Sequence, residues 1–509
     1  MTTVWILGDQ LTLENAALAG CDPGNTRVLL IESRARAVHR RHHRRKLVLV
    51  YAAMRHFAAD LQEAGWTVDY QRLDQTPVFG DALRRHVRAF RTERLRILEP
   101  SDFATRHALP QWARDVGVVL DVVPNNLFLV GRDEFRDWAG ASRRLRMEHH
   151  YRRVRSRLGV LMESDGSPAG GTWNLDSENR RTVSEWRRDG CPRPPAAPPM
   201  TPDPVTREVI EMVDREFPDH PGRAEGFDLP VDRAASLRWL DHFLDHRLPK
   251  FGPYEDLMLS EDPVLFHSRL TPMLNLGLLR PLECVQAAER RYREGRAPLA
   301  SVEGFVRQIV GWREFIHGVY WLRGPDYLAS NALDARRPLP RWFWTGDTPM
   351  NCLAQCLRQV LDTGYNHHIQ RLMVLGNFLL LAGVRPDEAL DWFNELYVDA
   401  HDWVMAANVV GMALHADGGF MATKPYAAGG AYIARMSDYC RGCRFRPTER
   451  SGPGACPFTL LYWDFIARHA ARFASNPRMA AIVRSWTHRS ESDRRSVLDG
   501  AARVLETLL

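Results

Sequence analysis

Lysine is nearly absent from this chain of 509 residues, since only Lys46, Lys250 and Lys424 accompany 65 arginines among its 68 basic residues. We attribute this bias mainly to the base composition of the genome, and the net charge of +6 permits a phosphate-rich partner without requiring one. No apolar run approaches the roughly 18 residues that a membrane-spanning helix needs. The first nine residues lack the basic start and the cleavage site of a signal peptide. We therefore expect a cytoplasmic protein that does not associate with membranes.

Cysteine is also infrequent, and eight cysteines in a cytoplasmic chain are not expected to form a disulfide framework. Neither a GxGxxG fingerprint nor a Walker loop is present, which excludes the usual dinucleotide and nucleoside-triphosphate sites. We find no internal repeat. Hydrophobic residues make up 45% and charged residues 26% of the chain, so bulk disorder is excluded and two or three folded domains are expected.

The first 130 residues alternate between strand-like apolar runs and helical patterns. The predicted strands lie at 4–7, 28–31, 68–70, 95–98 and 118–123, and the clearest helix runs from about 45 to 64. This alternation predicts an α/β domain with a doubly wound parallel sheet. Because such sheets bind ligands at the carboxyl ends of their strands, we expect a site near Gly8, Asp9 and Glu32.

The rest of the chain changes character twice. Residues 131–205 read as a polar, arginine-rich linker that ends in a stiff, extended stretch with seven prolines between 192 and 204. Beyond it the pattern is helical, as in 301–322, where Val302, Phe305 and Ile309 fall on one stripe. We therefore predict an α/β domain at 1–130, a linker at 131–205 and an all-α domain at 206–509.

Five of the eight cysteines crowd into the last third of the chain. Cys440 and Cys443 form a CxxC pair, Cys456 follows, and either Cys352 or Cys356 could supply a fourth thiolate. Four cysteines suit structural zinc or an iron–sulfur cluster. Zinc ribbons usually contain two CxxC pairs, so the single pair favours iron–sulfur, although four buried thiols without a metal are an alternative on spacing alone.

Two further segments carry polar side chains at predicted helix starts. Thr271 is predicted as an N-cap with Pro272 in the first turn, and with Ser268 it would form an anion site, although an ordinary capped helix has the same pattern. His367 and His368 precede a long apolar helix. Adjacent histidines at such a position are usually solvated, but a functional pair would offer a general acid near neutral pH.

Several motifs in this order resemble the photolyase/cryptochrome family: S-R-L-T-P at 268–272, W-R-E-F at 312–315, H-H-I-Q-R-L-M at 367–373 and T-K-P-Y at 423–426. The cysteines make the chain similar to the iron–sulfur bacterial cryptochrome/photolyase group, which includes prokaryotic (6-4) photolyases. The resemblance extends from about residue 8 to residue 465. It implies the photolyase fold, in which an α/β domain precedes a helical domain that binds FAD.

The resemblance also implies roles for individual residues. The positions that match FAD contacts are Ser268, Leu270, Thr271, Trp312, Arg371, Asp399 and Asn408. Among them, Arg371 and Asp399 match an ion pair beside the flavin ring, and Asn408 matches a residue that faces its N5 atom. The resemblance selects Cys352 as the fourth ligand of a [4Fe-4S] cluster, with Cys440, Cys443 and Cys456.

A second chromophore and an electron path are implied in the same way. A 6,7-dimethyl-8-ribityllumazine antenna would bind at positions that match Gly8, Asp9, Gln10, Glu32 and Val50. Electrons would reach the flavin through Trp392 and Trp344, with Tyr432 as a further member, and core packing is the alternative for each of these rings.

The resemblance implies a monomeric, light-dependent lyase that acts on UV-damaged DNA and reverts (6-4) photoproducts. That repair moves a hydroxyl between two rings and needs an acid, for which His367 and His368 are the candidates, with Tyr426 beside the lesion and Lys424 on the DNA. One alternative is a cryptochrome-type blue-light receptor without repair activity. Another is an iron–sulfur DNA-processing enzyme such as a primase-like module, which would leave the α/β domain unexplained.

Overall fold

The computed structural model describes residues 1–75, 78–140 and 145–508, so parts of the predicted α/β domain (76–77), of the predicted linker (141–144) and of the predicted helical domain (509) lie outside it. Five parallel strands form one sheet: β1 (Thr2–Trp5), β2 (Thr26–Ile31), β3 (Thr67–Gln71), β4 (Arg94–Leu98) and β5 (Val119–Val123). Their spatial order is β3-β2-β1-β4-β5, with Val4 opposite Val28 on one side and Arg96 on the other. The predicted doubly wound α/β domain is confirmed.

Helices cover both faces of this sheet: α1 (Arg34–Val38), α2 (Arg44–Glu63), α3 (Phe79–Phe90) and α4 (Phe103–Val116). Trp5, Leu29 and Ile97 lie on one face, in a small separate core with α3 and α4. Val4 and Val28 lie on the other face, whose core is continuous with that of the helical part of the chain. Burial on both faces explains why the central strands β1 and β2 are rich in apolar residues.

The described part of the segment expected to be a linker, 131–205, contains three helices, α5 (Arg132–Ala139), α6 (Met147–Leu158) and α7 (Val183–Arg188), and ends where α8 (Pro204–Glu216) begins. Helix α6 packs on the helical part of the chain, whereas α8 packs on α2 of the α/β domain. Residues 191–203, which include six of the seven prolines between 192 and 204, form neither helix nor strand. The segment therefore fastens the two parts of the protein to each other.

The remainder of the described chain is helical, as predicted. Its α-helices are α9 (Arg233–His246), α10 (Leu248–Tyr254), α11 (Thr271–Leu276), α12 (Pro281–Arg293), α13 (Leu299–Val306), α14 (Glu314–Arg323), α15 (Asn351–Thr363), α16 (Asn377–Ala382), α17 (Pro386–Leu396), α18 (Asp402–Met405), α19 (Gly430–Met436), α20 (Pro457–Arg468), α21 (Ala470–Phe473), α22 (Ala480–Thr487) and α23 (Glu491–Leu508). None of the described helices combines the length and the apolar composition that crossing a bilayer requires.

Two kinds of non-α turn complete the architecture. Short 3-10 turns occur at Leu73–Gln75, Ala169–Gly171, Asp176–Glu178, Pro325–Ala329 and Arg341–Trp344. Three π-helical stretches, Arg307–Arg313, Gln370–Gly376 and Ala406–Ala413, directly adjoin α-helices: the first two continue into α14 and α16, and the third continues from α18. Such stretches are rare and frequently mark functional sites.

A buried carboxylate ties the two parts of the fold together. Glu314, at the start of α14, accepts backbone hydrogen bonds from Leu129 (2.7 Å) and Val130 (3.0 Å), which follow β5. It also pairs with Arg313 at 2.7 Å, and both side chains are buried. Because a buried charge needs such partners, the W-R-E-F segment holds the carboxyl edge of the sheet against the helices.

Candidate active site

The three π-helical stretches carry three of the side chains expected to face a flavin. Trp312 lies in the first, Arg371 in the second and Asn408 in the third. The second and third stretches pack against each other. Asn408 is half-buried and donates its Nδ2 hydrogen bond to the carbonyl oxygen of Val404 at 2.9 Å. The fold therefore brings Arg371 and Asn408 together from neighbouring elements.

Arg371 and Asp399 form a two-point ion pair. Nη1 of Arg371 lies 2.9 Å from Oδ1 of Asp399, and Nη2 lies 3.0 Å from Oδ2. The guanidinium also stacks 4.0 Å from the ring centroid of Tyr397, and its Nε donates to the carbonyl oxygen of Asn366 at 2.8 Å. Burial opposes the charge of Arg371, but Asp399 outweighs it and raises the pKa of the guanidinium. The pair therefore stays ionised.

An unpaired buried acceptor lies next to this ion pair. Asn275 donates from Nδ2 to the backbone carbonyl of Asp399 at 2.9 Å, while its Oδ1 has no hydrogen-bond partner among the described residues. Its side chain is only 5% exposed, so a missing partner is costly. An acceptor left open beside a fixed charge pair fits a site completed by a polar ligand such as a flavin.

The helix that follows the S-R-L-T-P motif does not begin as predicted. Leu270, not Thr271, is the N-cap of α11, and no side chain caps the helix. Arg269 is in the left-handed region at φ +53°, so the chain turns sharply before Leu270. Ser268 Oγ accepts the backbone N–H of Leu270 at 3.4 Å. The predicted Thr271 N-cap is therefore wrong, although Ser268, Leu270 and Thr271 remain adjacent.

Three histidines from two segments cluster near Arg371. His267 and His367 stack with centroids 4.3 Å apart, and both ring nitrogens of His367 lack partners among the described residues. His367 is buried, whereas the neighbouring His368 is exposed. Surrounding protein atoms, and then Arg371, lower the pKa of His368 to about 4. His368 is therefore neutral at pH 7 in the DNA-free protein, and it is open to a substrate.

Tyr426 and Lys424 lie on the loop before α19, and both are half-buried. Burial raises the pKa of Tyr426, while the charges of Arg180 and Arg478 oppose the rise. Arg180 also lowers the pKa of His368 through its charge, so it lies close to both side chains. The loop, the histidines and a residue of the predicted linker thus border one region.

Arg180 was not expected from the sequence. Its backbone is in the left-handed region at φ +69°, and its guanidinium contacts Asp176 (2.8 Å), Glu255 (3.3 Å) and Asp256 (3.8 Å). A non-glycine residue held in that region is strained, and such strain tends to occur at functional sites. No motif marks the position, because the strain arises from tertiary contacts.

The predicted electron-transfer residues divide into two groups. Trp392 is fully buried, donates its indole N–H to the carbonyl oxygen of Phe343 at 3.2 Å, and lies 6.0 Å from Tyr397. Trp344 follows Phe343 in the same 3-10 turn, and no direct ring contact joins it to Trp392 in the described part of the chain. Tyr432 lies elsewhere, with its hydroxyl 3.4 Å from Asp256. The structure therefore brings Trp392 and Trp344 to one side of the site and Tyr432 to another.

The predicted cluster ligands converge. One cavity is lined by Cys352, Cys440, Cys443 and Cys456. Cys356 does not belong to its wall and forms a side-chain hydrogen bond with Tyr439. A Cβ at Gly430 would come within 2.7 Å of the Cys456 sulfur, so only glycine leaves this space open. Burial, then the thiols of Cys456 and Cys443, raises the pKa of Cys440 to about 12.

The geometry of these cysteines bears on the kind of metal. Among the described residues, no group of three or more His, Cys, Asp or Glu side chains is arranged to hold one metal ion. Four thiols around a common cavity, with no His, Asp or Glu among the described residues of its wall, match the donor set of an iron–sulfur cluster. A cluster of several irons holds its thiolates farther apart than a single ion does.

A second cavity lies between the carboxyl edge of the sheet and the helical part. Gly8, Asp9 and Val50 line it together with side chains from the segment before α18. Burial raises the pKa of Asp9, and Ser101 donates a hydrogen bond to its carboxylate. A Cβ at Gly8 would lie 3.0 Å from the Met54 sulfur and 3.2 Å from Val50 Cγ1, so glycine keeps this wall open.

Two residues assigned to this cavity are engaged elsewhere. Glu32 is fully buried, pairs with Arg55 at 2.8 Å and accepts the Tyr70 hydroxyl at 2.6 Å. Gln10 donates to the carbonyl oxygen of Leu98 at 3.2 Å. Neither side chain belongs to the cavity wall. Both stabilise the ends of the strands, and the long-range partners that use them are invisible in the sequence.

Comparison with known proteins agrees with this geometry. A family profile described as deoxyribodipyrimidine photo-lyase-related protein matches residues 4–229. The chain is 44% identical over 508 residues to a (6-4) photolyase of Agrobacterium fabrum, covering 99% of both chains. An uncharacterised mimivirus protein, R855, is 27% identical over 136 residues, which are 27% of this chain and all of that protein.

Two solved structures share the fold. A class III photolyase from Agrobacterium tumefaciens aligns with a TM-score of 0.55 at 17% identity, covering 99% of this chain and 98% of the other. A cryptochrome from Synechocystis aligns with a TM-score of 0.57 at 12% identity, covering 100% and 99%. Together with the full-length relative, they account for the α/β domain that a primase-like module would leave unexplained.

Proposed function

The chain belongs to the photolyase/cryptochrome family, with a (6-4) photolyase among its full-length relatives, and on that premise we propose that it repairs (6-4) photoproducts in UV-damaged DNA by a light-dependent reaction. The observation that carries the proposal is His368, an accessible imidazole close to the buried ion pair of Arg371 and Asp399. An acid at this position separates the chemistry of a (6-4) lesion from that of a cyclobutane dimer.

His368 acts as the proton donor to the migrating hydroxyl. Repair of a (6-4) lesion returns this hydroxyl from one ring to the other, and it leaves more easily when protonated. In the DNA-free protein the pKa of about 4 keeps the imidazole neutral. The phosphates of bound DNA favour the charged form and act in the opposite direction. Substrate binding therefore prepares the acid.

FAD is held by residues from α11 and the three π-helical stretches. Bound FAD supplies light-driven electron donation to the lesion. Arg371, Asp399 and Asn408 would hold its ring system, and Trp312, Ser268, Leu270 and Thr271 would hold the rest of the cofactor. The unpaired Oδ1 of Asn275 supports a polar ligand at this position.

Trp392 relays electrons inward, since Tyr397 links it to Arg371 through ring contacts of 6.0 and 4.0 Å. Trp344 carries the relay towards the surface, and Tyr432 forms a separate branch.

Cys352, Cys440, Cys443 and Cys456 hold a [4Fe-4S] cluster whose role is mainly structural. The cavity that these residues line lies between α15, α19 and the start of α20. Cross-linking three segments by one cluster contributes to folding in the way a structural metal does.

The cavity beside Gly8, Asp9 and Val50 binds a 6,7-dimethyl-8-ribityllumazine antenna. Asp9 and Lys46 both line it, in a wall that combines apolar side chains with several other polar and charged ones. A Gly8→Val change would fill the space that Met54 and Val50 leave open. The purified variant should therefore lose the antenna absorption while it keeps the flavin bands; unchanged antenna absorption would contradict the assignment.

The substrate is extrahelical. Flipping a nucleotide out of the duplex costs a few kcal/mol, and this cost is smallest where damage has already weakened base pairing. Tyr426 contacts the flipped bases and Lys424 the backbone. We propose that the enzyme acts as a monomer on UV-damaged DNA in the cytoplasm.

A cryptochrome-type blue-light receptor of the same fold is the competing function, and a cryptochrome of Synechocystis shares this fold. The two functions are separated by illuminating the protein with a duplex that carries one (6-4) photoproduct. A photolyase restores the two pyrimidines in light and not in darkness. A receptor is photoreduced but leaves the lesion intact, and that result would overturn the proposal.

A further inference from the structure

The net charge of the chain is confined to its C-terminal end. Residues 430–509 contain 13 arginines and seven acidic residues, so they account for +6, which is the net charge of the whole chain. Residues 1–429 are balanced. Among the described residues, only two of these 13 arginines, Arg446 and Arg468, form an ion pair with a carboxylate. This end of the protein therefore carries cations without counter-ions, and one of them contacts the active-site loop.

The loop between α21 and α22 is clamped onto the segment that leads to Tyr426. Nη1 of Arg478 donates to Oγ1 of Thr423 at 2.8 Å, and Nδ2 of Asn476 donates to the Thr423 carbonyl oxygen at 2.9 Å. Oδ1 of Asn476 in turn accepts the backbone N–H of Arg478 at 2.9 Å. These three hydrogen bonds hold the Arg478 guanidinium against the start of the Thr423 to Tyr426 segment.

Arg478 and Lys424 are two cations at this position without a compensating carboxylate. Neither side chain forms an ion pair in the described part of the chain, although most of the arginines in residues 1–429 do. Arg478 is exposed and Lys424 is half-buried. Burial, and then the charge of Arg478, lowers the pKa of Lys424. Like charges held together in this way repel each other, and an anion between them relieves the repulsion.

We propose that Lys424 and Arg478 form a binding site for a DNA backbone phosphate beside Tyr426. This inference rests on the proposed function, because it takes Tyr426 to border the flipped lesion. Phosphate contacts fix the register of a protein on DNA, and the planar fork of an arginine suits phosphate oxygens. Because the hydrogen bond to Thr423 fixes Arg478 relative to Tyr426, the phosphate sets the position of the nucleotide that enters the active site.

The test compares Arg478→Ala, Arg478→Lys and Thr423→Val with the wild type, in the full-length holoprotein. Arg484→Ala is the matched control, since Arg484 is also exposed, has no ion pair among the described residues, and lies on the neighbouring α22. The dissociation constant for duplexes with and without one (6-4) photoproduct is measured between 50 and roughly 200 mM KCl, a range over which counterion release dominates. Repair is assayed on the same samples.

Arg478→Ala should reduce the slope of log K against log salt by about 0.9, as expected for one lost phosphate contact. The substitution should weaken binding to damaged and undamaged duplexes by the same factor, because a contact with the DNA backbone does not distinguish a lesion from normal bases. Arg478→Lys should keep the wild-type slope, since it retains the charge. Thr423→Val should keep the slope but lower the repair yield, because the clamp on Tyr426 is loosened. Arg484→Ala should match the wild type.

Three results would overturn the inference. One is a wild-type slope in Arg478→Ala. The second is an equal loss of slope in Arg478→Lys and Arg478→Ala, which would make the residue a structural clamp only. The third is the same loss in Arg484→Ala, which would show general attraction and no localised site. If the wild type itself fails to bind the damaged duplex, both the proposed function and the inference are wrong. The wild-type measurement alone separates this outcome from the three above, in which the wild type binds.

Discussion

The imidazole rings of His267 and His367 stack almost in parallel, with centroids 4.3 Å apart and planes inclined by 11°. His267 is fixed in turn, because its Nε2–H donates to the carbonyl oxygen of Glu255 at 3.0 Å. The stack keeps His367 at 2% exposure, while His368 remains exposed. Of the two histidines that the sequence offers as proton donors, His368 is the one that a substrate can reach.

Replacing His368 should separate binding from repair. His368→Ala should lower the rate of (6-4) repair by roughly 100-fold or more, the range for a lost general acid, while the affinity for FAD and damaged DNA stays unchanged. His367→Phe preserves a ring for the stack with His267 and should repair nearly as well as the wild type. Near-normal repair by His368→Ala would contradict the assignment, and normal repair by the double variant would exclude both histidines.

Trp392 provides a test of the electron path. Trp392→Phe should slow photoreduction of the flavin, because the buried indole is two ring contacts from Arg371. Repair by enzyme reduced chemically beforehand should be nearly intact. Trp463→Phe is the control, since Trp463 is a partly buried tryptophan of α20 that stacks on Trp486 at 6.0 Å. Equal loss of both activities in Trp392→Phe would mean that the ring only packs.

The cysteines differ sharply in what their removal should do. Cys443→Ala should lose iron and sulfide and become less soluble, because one wall of the cluster cavity is gone. Cys356→Ala should retain both, since Cys356 lies outside that wall, although it is buried one turn from Cys352 on the same helix. Elemental analysis of the purified proteins decides the matter. Zinc without iron in the wild type would contradict the cluster, as would full iron content in Cys443→Ala.

How much the sequence could predict depended on the range of the interactions involved. A strand was predicted at or beside each of the five observed ones, although the first was placed at 4–7 and spans Thr2–Trp5. The strand containing Val28 and Leu30 was predictable because a strand buried on both faces is an apolar run. The helices of the predicted linker were missed, since the apolar face of α6 is short and arginine-rich. The N-cap at Thr271 was mispredicted, because the left-handed backbone of Arg269 is set by tertiary contacts.

The active site shows the same division. The ion pair of Arg371 and Asp399 joins residues 28 positions apart and followed from the family resemblance, since no spacing rule connects them. Glu32 was assigned to a ligand site because it follows a strand, but Arg55 and Tyr70 use its carboxylate. His267 directly precedes the S-R-L-T-P motif at 268–272, yet nothing local marks its contact with His367. Side chains with distant partners were therefore the ones misassigned or missed.

The pH dependence of stability follows from buried neutral histidines. His150 packs among Phe135, Trp138 and Phe315, and its ring nitrogens have no partner in the described residues. Burial lowers its pKa to about 3. In the unfolded chain the pKa of this residue is about 6.5. Between pH 6.5 and 3 the unfolded chain therefore binds a proton that the folded protein does not, so the free energy of unfolding falls as the pH falls below about 6.5.

The contribution of His150 can be isolated by mutation. Between pH 6.5 and 5 this residue alone should lower the free energy of unfolding by about 2 kcal/mol, since one proton changes it by about 1.4 kcal/mol per pH unit. Urea unfolding of the wild type and of His150→Phe at several pH values measures the difference. The variant should show the shallower dependence by that amount. Parallel curves for the two proteins would show that His150 titrates normally in the folded state.

The most direct test of the central claim is the light-dependent repair of two defined duplexes by the wild-type protein, one with a single (6-4) photoproduct and one with a single cyclobutane dimer. The enzyme is reduced beforehand, and the restored pyrimidines are quantified against illumination time and in darkness. The account predicts light-dependent restoration of the (6-4) duplex and little or none of the cyclobutane duplex. Repair of the cyclobutane dimer alone, or of neither lesion, would contradict it.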